Sequence, residues 1–489
     1  MRLQCSPSKD QHREVAVHGV KWTTVSAIFR VGLQTLRIAI LSRLLTPVDF
    51  GLMAMISILL GLIDAFMDLG TGNAIIQRRD TTSHQLASLY WLNLTFATAV
   101  STFIIASTPL FSTFYAEPQL RMLLPWCAPL FLINAIGFVF RNVMQRDLNF
   151  ALLARIQMIA VTIGSAVAVI FAFRGHGVFS LILAQLATAA TTATLYVAFG
   201  RHSWHPTWHF DLRDLRGYIN FGLYQMGERF VNYISANIDY LVIGRALGPH
   251  ALGSYTLAYQ LVVLPLTTIN PILTSVAFPL FAKVQSDNAA LRRGYLAIAK
   301  FLAFTTLPVL IGAGLTAPVL VPLVFGPKWG EAIRLVQILA FLGVLKSFAN
   351  PSGSVLLAKG RVDIDFKWEC FSATLNAITF AAVVHYGVAA VAISHVILVG
   401  LYFLPFVWIV CRLIDLPLRQ YLLVFVRPAT FVTVMASAVL LSNNILTVLI
   451  GNHIVLLLSL CLIGSTIFVL QISYFERQYI KDLWRLLAN

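Results

Sequence analysis

Two segments 202 residues apart carry the same pattern, R-x-L-x-P-x-x-x-G, and each sits between two long apolar stretches. Arg43-Leu44-Leu45-Thr46-Pro47-Val48-Asp49-Phe50-Gly51 is matched by Arg245-Ala246-Leu247-Gly248-Pro249-His250-Ala251-Leu252-Gly253. Pro in such a connector starts the next helix, and Gly lets two helices approach closely. A repeat of apolar helices joined this way constrains the fold more than any other feature. It predicts a duplicated membrane bundle, the architecture of secondary transporters, in which a substrate site lies between repeats.

Apolar windows of about 20 residues give about fourteen transmembrane helices, so the expected class is an all-α polytopic membrane protein. Only 11% of the residues are charged and the mean hydropathy is +0.80. A soluble domain carries about 25% charged residues, and no loop here is long enough to hide one. The expected order is a cytoplasmic tail (1–16), an N-lobe of helices 1–6 (17–200) and a cytoplasmic linker (201–216). A C-lobe of helices 7–12 (217–412), helices 13 and 14 (413–474) and a second cytoplasmic tail (475–489) follow. Among the expected spans are 86–110, 122–140 and 421–441. The N-terminus shows no cleaved signal peptide, so the first helix serves as the insertion signal.

A net charge of +15 could suggest nucleic acid, but its distribution points to the membrane. With the N-terminus cytoplasmic, only Arg43, Arg121, Arg174, Arg245 and Lys328 fall on the far side. Arg30, Arg37, Arg229, Arg334 and Lys346 lie within spans, and the rest of the 35 Lys and Arg lie on the near side. That bias places both termini in the cytoplasm. Six crossings per repeat is an even number, so the two six-helix bundles share one orientation, with two C-terminal helices added.

Ionisable groups within spans usually face a bundle interior or a water-filled cavity. Arg30, Gln34 and Arg37 fall at i, i+4 and i+7 and form one cationic stripe on helix 1. On helix 7, Gln225, Glu228, Asn232 and Asp239 share a face, with Arg229 beside it. The 202-residue offset pairs Arg30 with Asn232 and Arg37 with Asp239. Helix 2 adds Asp64 and Asp68, and helix 10 adds Lys346. Two readings stand. In one, Arg37 with Asp64 or Arg30 with Asp68 forms an internal ion pair that fixes the bundle. Alternatively Arg30, Gln34, Arg37, Arg229, Asn232 and Lys346 bind an anionic substrate, while Asp239, Glu228, Asp68 and Asp64 couple transport to an ion.

Other motifs carry less. The string from His202 to His209 has a zinc-like His spacing, but Pro206 breaks any helix and no clean fourth ligand stands nearby. Its tryptophans match a membrane-interface belt. Cys5, Cys127, Cys370, Cys411 and Cys461 have no paired spacing, so packing is expected and neither metal nor disulfide. The sequon at Asn93 lies inside a span. No nucleotide-binding loop is present, and neither a catalytic site nor a cofactor is expected.

Several strings carry a family resemblance. They are Gly19–Trp22, Asp68–Arg78, Leu89–Asn93, Asn270–Ile272, Phe278–Gln285, Phe325–Trp329, Asn350–Gly353 and Ala358–Ile364. Together they resemble the Wzx-type polysaccharide flippases, most closely the colanic-acid exporter branch of the multidrug/oligosaccharidyl-lipid/polysaccharide exporter superfamily. The likeness is specific from Gly19 to Lys367 and looser beyond. It implies two six-helix lobes working by alternating access in the bacterial inner membrane. It also implies export of an undecaprenyl-pyrophosphate-linked oligosaccharide repeat unit for exopolysaccharide or lipopolysaccharide synthesis. The expected partners are the lipid-linked oligosaccharide and membrane lipids, with a polysaccharide polymerase and glycosyltransferases as candidates. A drug or cation exporter of the same superfamily is the nearest alternative, though it calls for an acid-dominated cavity. A membrane glycan polymerase or ligase is less favoured, because the outer loops are short and carry few catalytic groups.

Overall fold

The computed structural model describes residues 9–67, 72, 75, 81–215 and 219–476, with side chains described for 22–64, 72, 75, 81–215, 229–270, 273 and 277–476. Among these residues every regular element is helical. Twelve stretches are long and apolar enough to cross a membrane. One of them, Arg229–Asn270, holds two spans, and the more polar Val362–Val383 adds another, which gives fourteen helices. The chain is a polytopic membrane protein.

The first helices are α1 (Lys9–Leu44), α2 (Pro47–Met67), α3 (Ser83–Tyr115), α4 (Leu120–Arg146), α5 (Phe150–Phe173) and α6 (Phe179–Gly200). The long helix Ile219–Lys283 breaks at Gly248 into α7 (219–247) and α8 (249–283). Then come α9 (Asn288–Val324), α10 (Gly330–Ala358), α11 (Val362–Val383), α12 (Val388–Leu413), α13 (Leu418–Leu449) and α14 (His453–Phe475).

Several helices overrun their expected ends. The span expected over 86–110 runs from 83 to 115, started by a capping box in which Thr82 and Gln85 exchange hydrogen bonds. The span expected over 421–441 continues to Leu449. Helix α4 is interrupted at Ala128, where Pro125 and Pro129 remove amide donors.

The two repeated connectors are built differently. In the first, Thr46 and Asp49 cap α2 reciprocally: the Thr46 amide donates to Asp49 Oδ2 at 2.8 Å, and the Asp49 amide donates to Thr46 Oγ1 at 3.3 Å. In the second, Gly248 stands where Thr46 did, at φ 78° and ψ −175°, a conformation essentially reserved for glycine. Pro47 and Pro249 each begin a helix, as the repeat requires. Gly51 lies against the Pro249 backbone, so closely that a Cβ there would collide with the Pro249 carbonyl.

The chain divides into two compact units, 1–250 and 251–489. Helix α7 opens the second repeat by sequence, yet packs with the first. Within this N-terminal unit α1 lies on α5, with Ser26 Oγ donating to the Ala154 carbonyl at 3.4 Å and the Arg155 guanidinium over Trp22 at 4.7 Å. Helix α6 packs on α4 and α5 through small residues, Gly137 against Ala193 and Gly164 against Ala184 and Thr188. Such residues let helices approach closely where lipid supplies little hydrophobic drive. An aromatic and aliphatic core of Leu89, Tyr90, Phe140, Met144 and Trp204 closes the end of the unit that bears the linker.

In the C-terminal unit α9, α13 and α14 share a core around Tyr295, Phe304, Tyr421, Met435 and Phe468. Tyr295 donates to or accepts from Ser352 at 2.8 Å, and Tyr421 donates to the Phe348 carbonyl at 2.9 Å. Large apolar side chains such as Leu441, Leu458 and Leu462 remain exposed on the outside, as a lipid-facing surface requires.

Candidate functional site

The N-terminal unit holds two adjoining cavities. One, of about 580 Å³, is lined by Asp64, Asn93, Asn134, Arg141, Asn142, Gln145, Gln157, Thr192, Tyr196 and Arg229, among others. The other, of about 490 Å³, is lined by Arg37, Ser57, Gly61, Asp64, Asn134, Gln185, Thr188 and Thr192. Asp64, Phe131, Asn134 and Thr192 belong to both. Three arginines thus face one aspartate along a wall of amides and hydroxyls.

Helix direction orders these groups along the bundle. The linker end, where α4 and α6 finish and α7 starts, takes Arg141, Tyr196 and Arg229. Arg37 and Gln185 lie toward the opposite end, where α1 finishes and α6 starts. From Gln185 to Tyr196 is eleven residues of α6, about 16 Å of rise at 1.5 Å per residue.

One of these polar groups keeps unused hydrogen-bonding capacity, and others are bonded within the bundle. Asn93 is 3% exposed, and its Oδ1 has no partner among the described residues. Asn142 donates through Nδ2 to the Phe138 carbonyl at 2.9 Å, and Tyr196 pairs with Gln157. Buried polar atoms of this kind are costly unless a ligand or water satisfies them. Arg37 has no carboxylate or hydrogen-bond partner among the described residues, so the expected Arg37–Asp64 ion pair is not formed. Asp64 lies within electrostatic reach of Tyr233, which donates from Oη to the Ser57 carbonyl at 3.0 Å and fills the space above Gly61.

The sequence-predicted residues distribute unevenly. Arg37, Asp64 and Arg229 meet at the cavities. Arg30 and Gln34 are exposed on α1 and are not among the lining residues, although the Arg30 charge reaches Tyr196. Asn232 is exposed on α7. Asp239 is 2% exposed within α7, its Oδ1 accepting from the Tyr240 amide at 3.0 Å, and it does not line either cavity. Lys346 lies in the other unit, where its Nζ donates to Tyr259 Oη at 2.9 Å. Asp68 and the side chains of Gln225 and Glu228 lie outside the described residues, as does the Arg30–Asp68 pairing.

Sequence reasoning missed Arg141, read as a loop charge, and Asn93, read as an idle sequon. It also missed the amides. The signal was present: Asn134, Arg141, Asn142 and Gln145 recur at helical spacing on α4, and Gln185, Thr188, Thr192 and Tyr196 do so on α6. A search confined to ionisable groups does not see such stripes.

At the linker end the histidine string serves packing. Trp204 is buried beside Tyr90 and Phe140, and Trp208 stacks on Trp91 at 4.7 Å. His209 Nε2 meets Asp214 Oδ2 at 2.9 Å, and Ser88 Oγ donates to the same oxygen at 2.9 Å. The Ser88 hydroxyl, together with His209, holds the Asp214 carboxyl below its usual range. The described cysteines Cys127, Cys370, Cys411 and Cys461 are all free thiols.

Comparison with known proteins gives a consistent picture. A family model described as "Polysaccharide biosynthesis protein" matches residues 40–334. The teichuronic acid biosynthesis protein TuaB of Bacillus subtilis is 36% identical over 411 residues, covering 84% of this chain and 85% of that one. The lipopolysaccharide biosynthesis protein WzxC of Escherichia coli is 33% identical over 363 residues, 74% of each chain. Among solved structures, lipid II flippase MurJ in an inward closed conformation shares the fold, with a TM-score of 0.74 at 13% identity. That match covers 95% of this chain and 100% of the other.

Proposed function

The chain belongs to the family of polysaccharide biosynthesis proteins, and from that premise we propose that it is a flippase for a lipid-linked oligosaccharide. The substrate is an undecaprenyl-pyrophosphate-linked repeat unit, moved across the bacterial inner membrane for exopolysaccharide or lipopolysaccharide synthesis. The single observation that carries this reading is the cavity pair of the N-terminal unit. Its arginines suit a pyrophosphate, since guanidinium groups bind phosphate oxygens bidentately. Its amides and hydroxyls suit sugar hydroxyls, which both donate and accept. A drug or cation exporter would need carboxylates to outnumber the arginines, and here the reverse holds.

The role is transport, not bond making. On this reading the linker end faces the cytoplasm, both termini lie there, and the pyrophosphate first meets Arg141 and Arg229. The lipid tail stays in the bilayer while the glycan enters the cavity. Asp239, buried in α7, is the carboxylate we assign to ion coupling. Polymerase and glycosyltransferases are the enzymes whose product and substrate this step would connect.

The test is a strain lacking the chain. Lipid-linked repeat units should accumulate on the cytoplasmic face, and the wild-type chain should restore their appearance outside. Normal delivery to the outer face in the deletion strain would refute the proposal.

A further inference from the structure

The linker that follows α6 is folded inside out. Two buried side chains, Trp204 and Leu215, fix its ends. Between them the chain is pinned to the first turns of α3. The Trp91 indole donates to the Thr207 carbonyl at 2.9 Å, the Asp211 amide donates to Ser88 Oγ at 3.1 Å, and His209 meets Asp214. His209 and Asp211 are thus partly buried against the bundle. The residues that alternate with them turn outward: Trp208 is 92% exposed, Phe210 52% and Leu212 69%. Against water this is the unfavourable order, because large apolar side chains gain by leaving it. Against lipid it is the favourable one.

Depth agrees with this. Helix α3 has 33 residues, about 50 Å of rise, against about 30 Å of hydrocarbon. Centred on the bilayer, it overhangs each boundary by about 10 Å. Trp91 lies about 12 Å from the start of α3 at Ser83, so Trp91 and the Trp208 ring stacked on it fall at the boundary itself. Indole rings settle at this level, where their amphipathic rings meet the headgroups. Arg201 and Arg213, both exposed, flank the apolar trio and can reach lipid phosphates from there. A soluble protein would have to displace headgroups to reach a strip at this depth.

We propose that residues 201–215 form an interfacial anchor seated in one membrane leaflet, with Trp208, Phe210 and Leu212 among the upper acyl chains and Arg201 and Arg213 on the phosphates of anionic phospholipids. On the flippase reading this is the cytoplasmic leaflet, but the contact with lipid does not depend on that reading. The phospholipid here is a docking surface, not cargo. Through Trp91 and Ser88 the anchor holds the start of α3 at the level of the headgroups.

Photocrosslinking of the full chain tests this, both in native membranes and in nanodiscs of phosphatidylethanolamine and phosphatidylglycerol. Benzoylphenylalanine replaces Phe210 in one variant and Leu212 in a second. On irradiation both positions should yield phospholipid adducts, as should the exposed Leu462 of α14, while Ser286, exposed in the loop before α9, should yield few. Adducts at Phe210 and Leu212 no more frequent than at Ser286 would place the strip in water and overturn the anchor. Crosslinks to another polypeptide in preference to lipid in native membranes would make the strip a protein-docking surface and overturn it as well. With the probe at Phe210, Arg201→Gln combined with Arg213→Gln should lower the share of phosphatidylglycerol among the adducts by about fivefold, the preference expected of a basic side chain at an anionic surface. An unchanged share would overturn the assignment of anionic lipid.

Discussion

The two compact units, 1–250 and 251–489, deploy their charged side chains differently. In the N-terminal unit Arg37, Arg141 and Arg229 line two adjoining cavities together with Asp64. In the C-terminal unit several charges are bonded within its own chain. Lys300 and Arg427 both reach Glu476 at 2.8 Å, Lys359 donates to the Gln285 carbonyl at 2.7 Å, and Arg292 donates to the Asp415 carbonyl at 3.0 Å. Its mid-span Lys346 is held by Tyr259. Duplication fixes a fold twice but need not fix a site twice. One copy can keep the binding surface while the other gives up its charges to internal clamps.

The comparison rests on the repeats sharing one orientation, and this gives the all-or-none prediction. Accessibility tags at Ala116 and Gly326, equivalent connectors in the two repeats, should report the same side of the membrane. Tags at Leu148 and Gly360 should report the other. A split between Ala116 and Gly326 would make the repeats inverted and remove the basis for comparing them.

The next effect in size separates the lobes by function. Arg141→Ala or Arg229→Ala should each lower export of lipid-linked repeat units about ten- to a hundredfold, the value of a charge-assisted contact of 1.5–3 kcal/mol. Protein abundance should stay near normal. Lys346→Met, in the other lobe, should cost no more than about threefold, in keeping with one partly buried hydrogen bond. A larger loss at Lys346 than at both arginines, measured at matched abundance, would move the site to the wrong lobe.

How much of this was legible beforehand depends on which physics each feature obeys. Helix number, the paired connectors and the polytopic class follow from apolar length and from Pro and Gly placement, which act locally. Helix ends were less legible, because capping by Thr82 and the continuation of α13 to Leu449 depend on neighbouring turns. The site was half legible. Arg37, Asp64 and Arg229 stand out as charges in apolar spans, whereas Asn93, Asn134 and Gln185 acquire meaning only when the bundle brings α3, α4 and α6 around one space. The assignment of α7 to the first unit was not legible at all. It follows from packing such as Tyr233 on Gly61 and Ser57, between residues more than 170 apart in sequence.

A smaller and more selective effect is expected at Asp239, the buried carboxylate of α7. Asp239→Asn removes a titratable group while keeping its shape. If this residue couples transport to an ion, the variant should lose most of the dependence of transport on the imposed gradient in vesicles, with only a modest fall in the rate without a gradient. An unchanged gradient dependence would free Asp239 from coupling and leave the cavity assignments untouched.

The smallest effect tests the structural side of the contrast. Glu476 is 6% exposed and accepts from Lys300 and Arg427 at the end of α14, joining it to α9 and α13. Burial works to raise its carboxyl, but the Lys300 ammonium and the Arg427 guanidinium outweigh it and hold the group below the ordinary value of 4.5. A carboxyl lowered in the folded state adds stability above its unfolded value and loses it as the pH falls through the lowered one. Glu476→Gln should therefore melt earlier than the wild type at pH 7, by about 1 kcal/mol or less, because Arg427 is 70% exposed and solvent screens its pairing. The gap should close as the pH drops below 4.5, where the wild-type carboxyl becomes protonated and resembles the amide. Export per folded molecule should not change. A stability gap that persisted undiminished into acid would mean that Glu476 acts through packing, and that the clamp of the C-terminal lobe is not electrostatic.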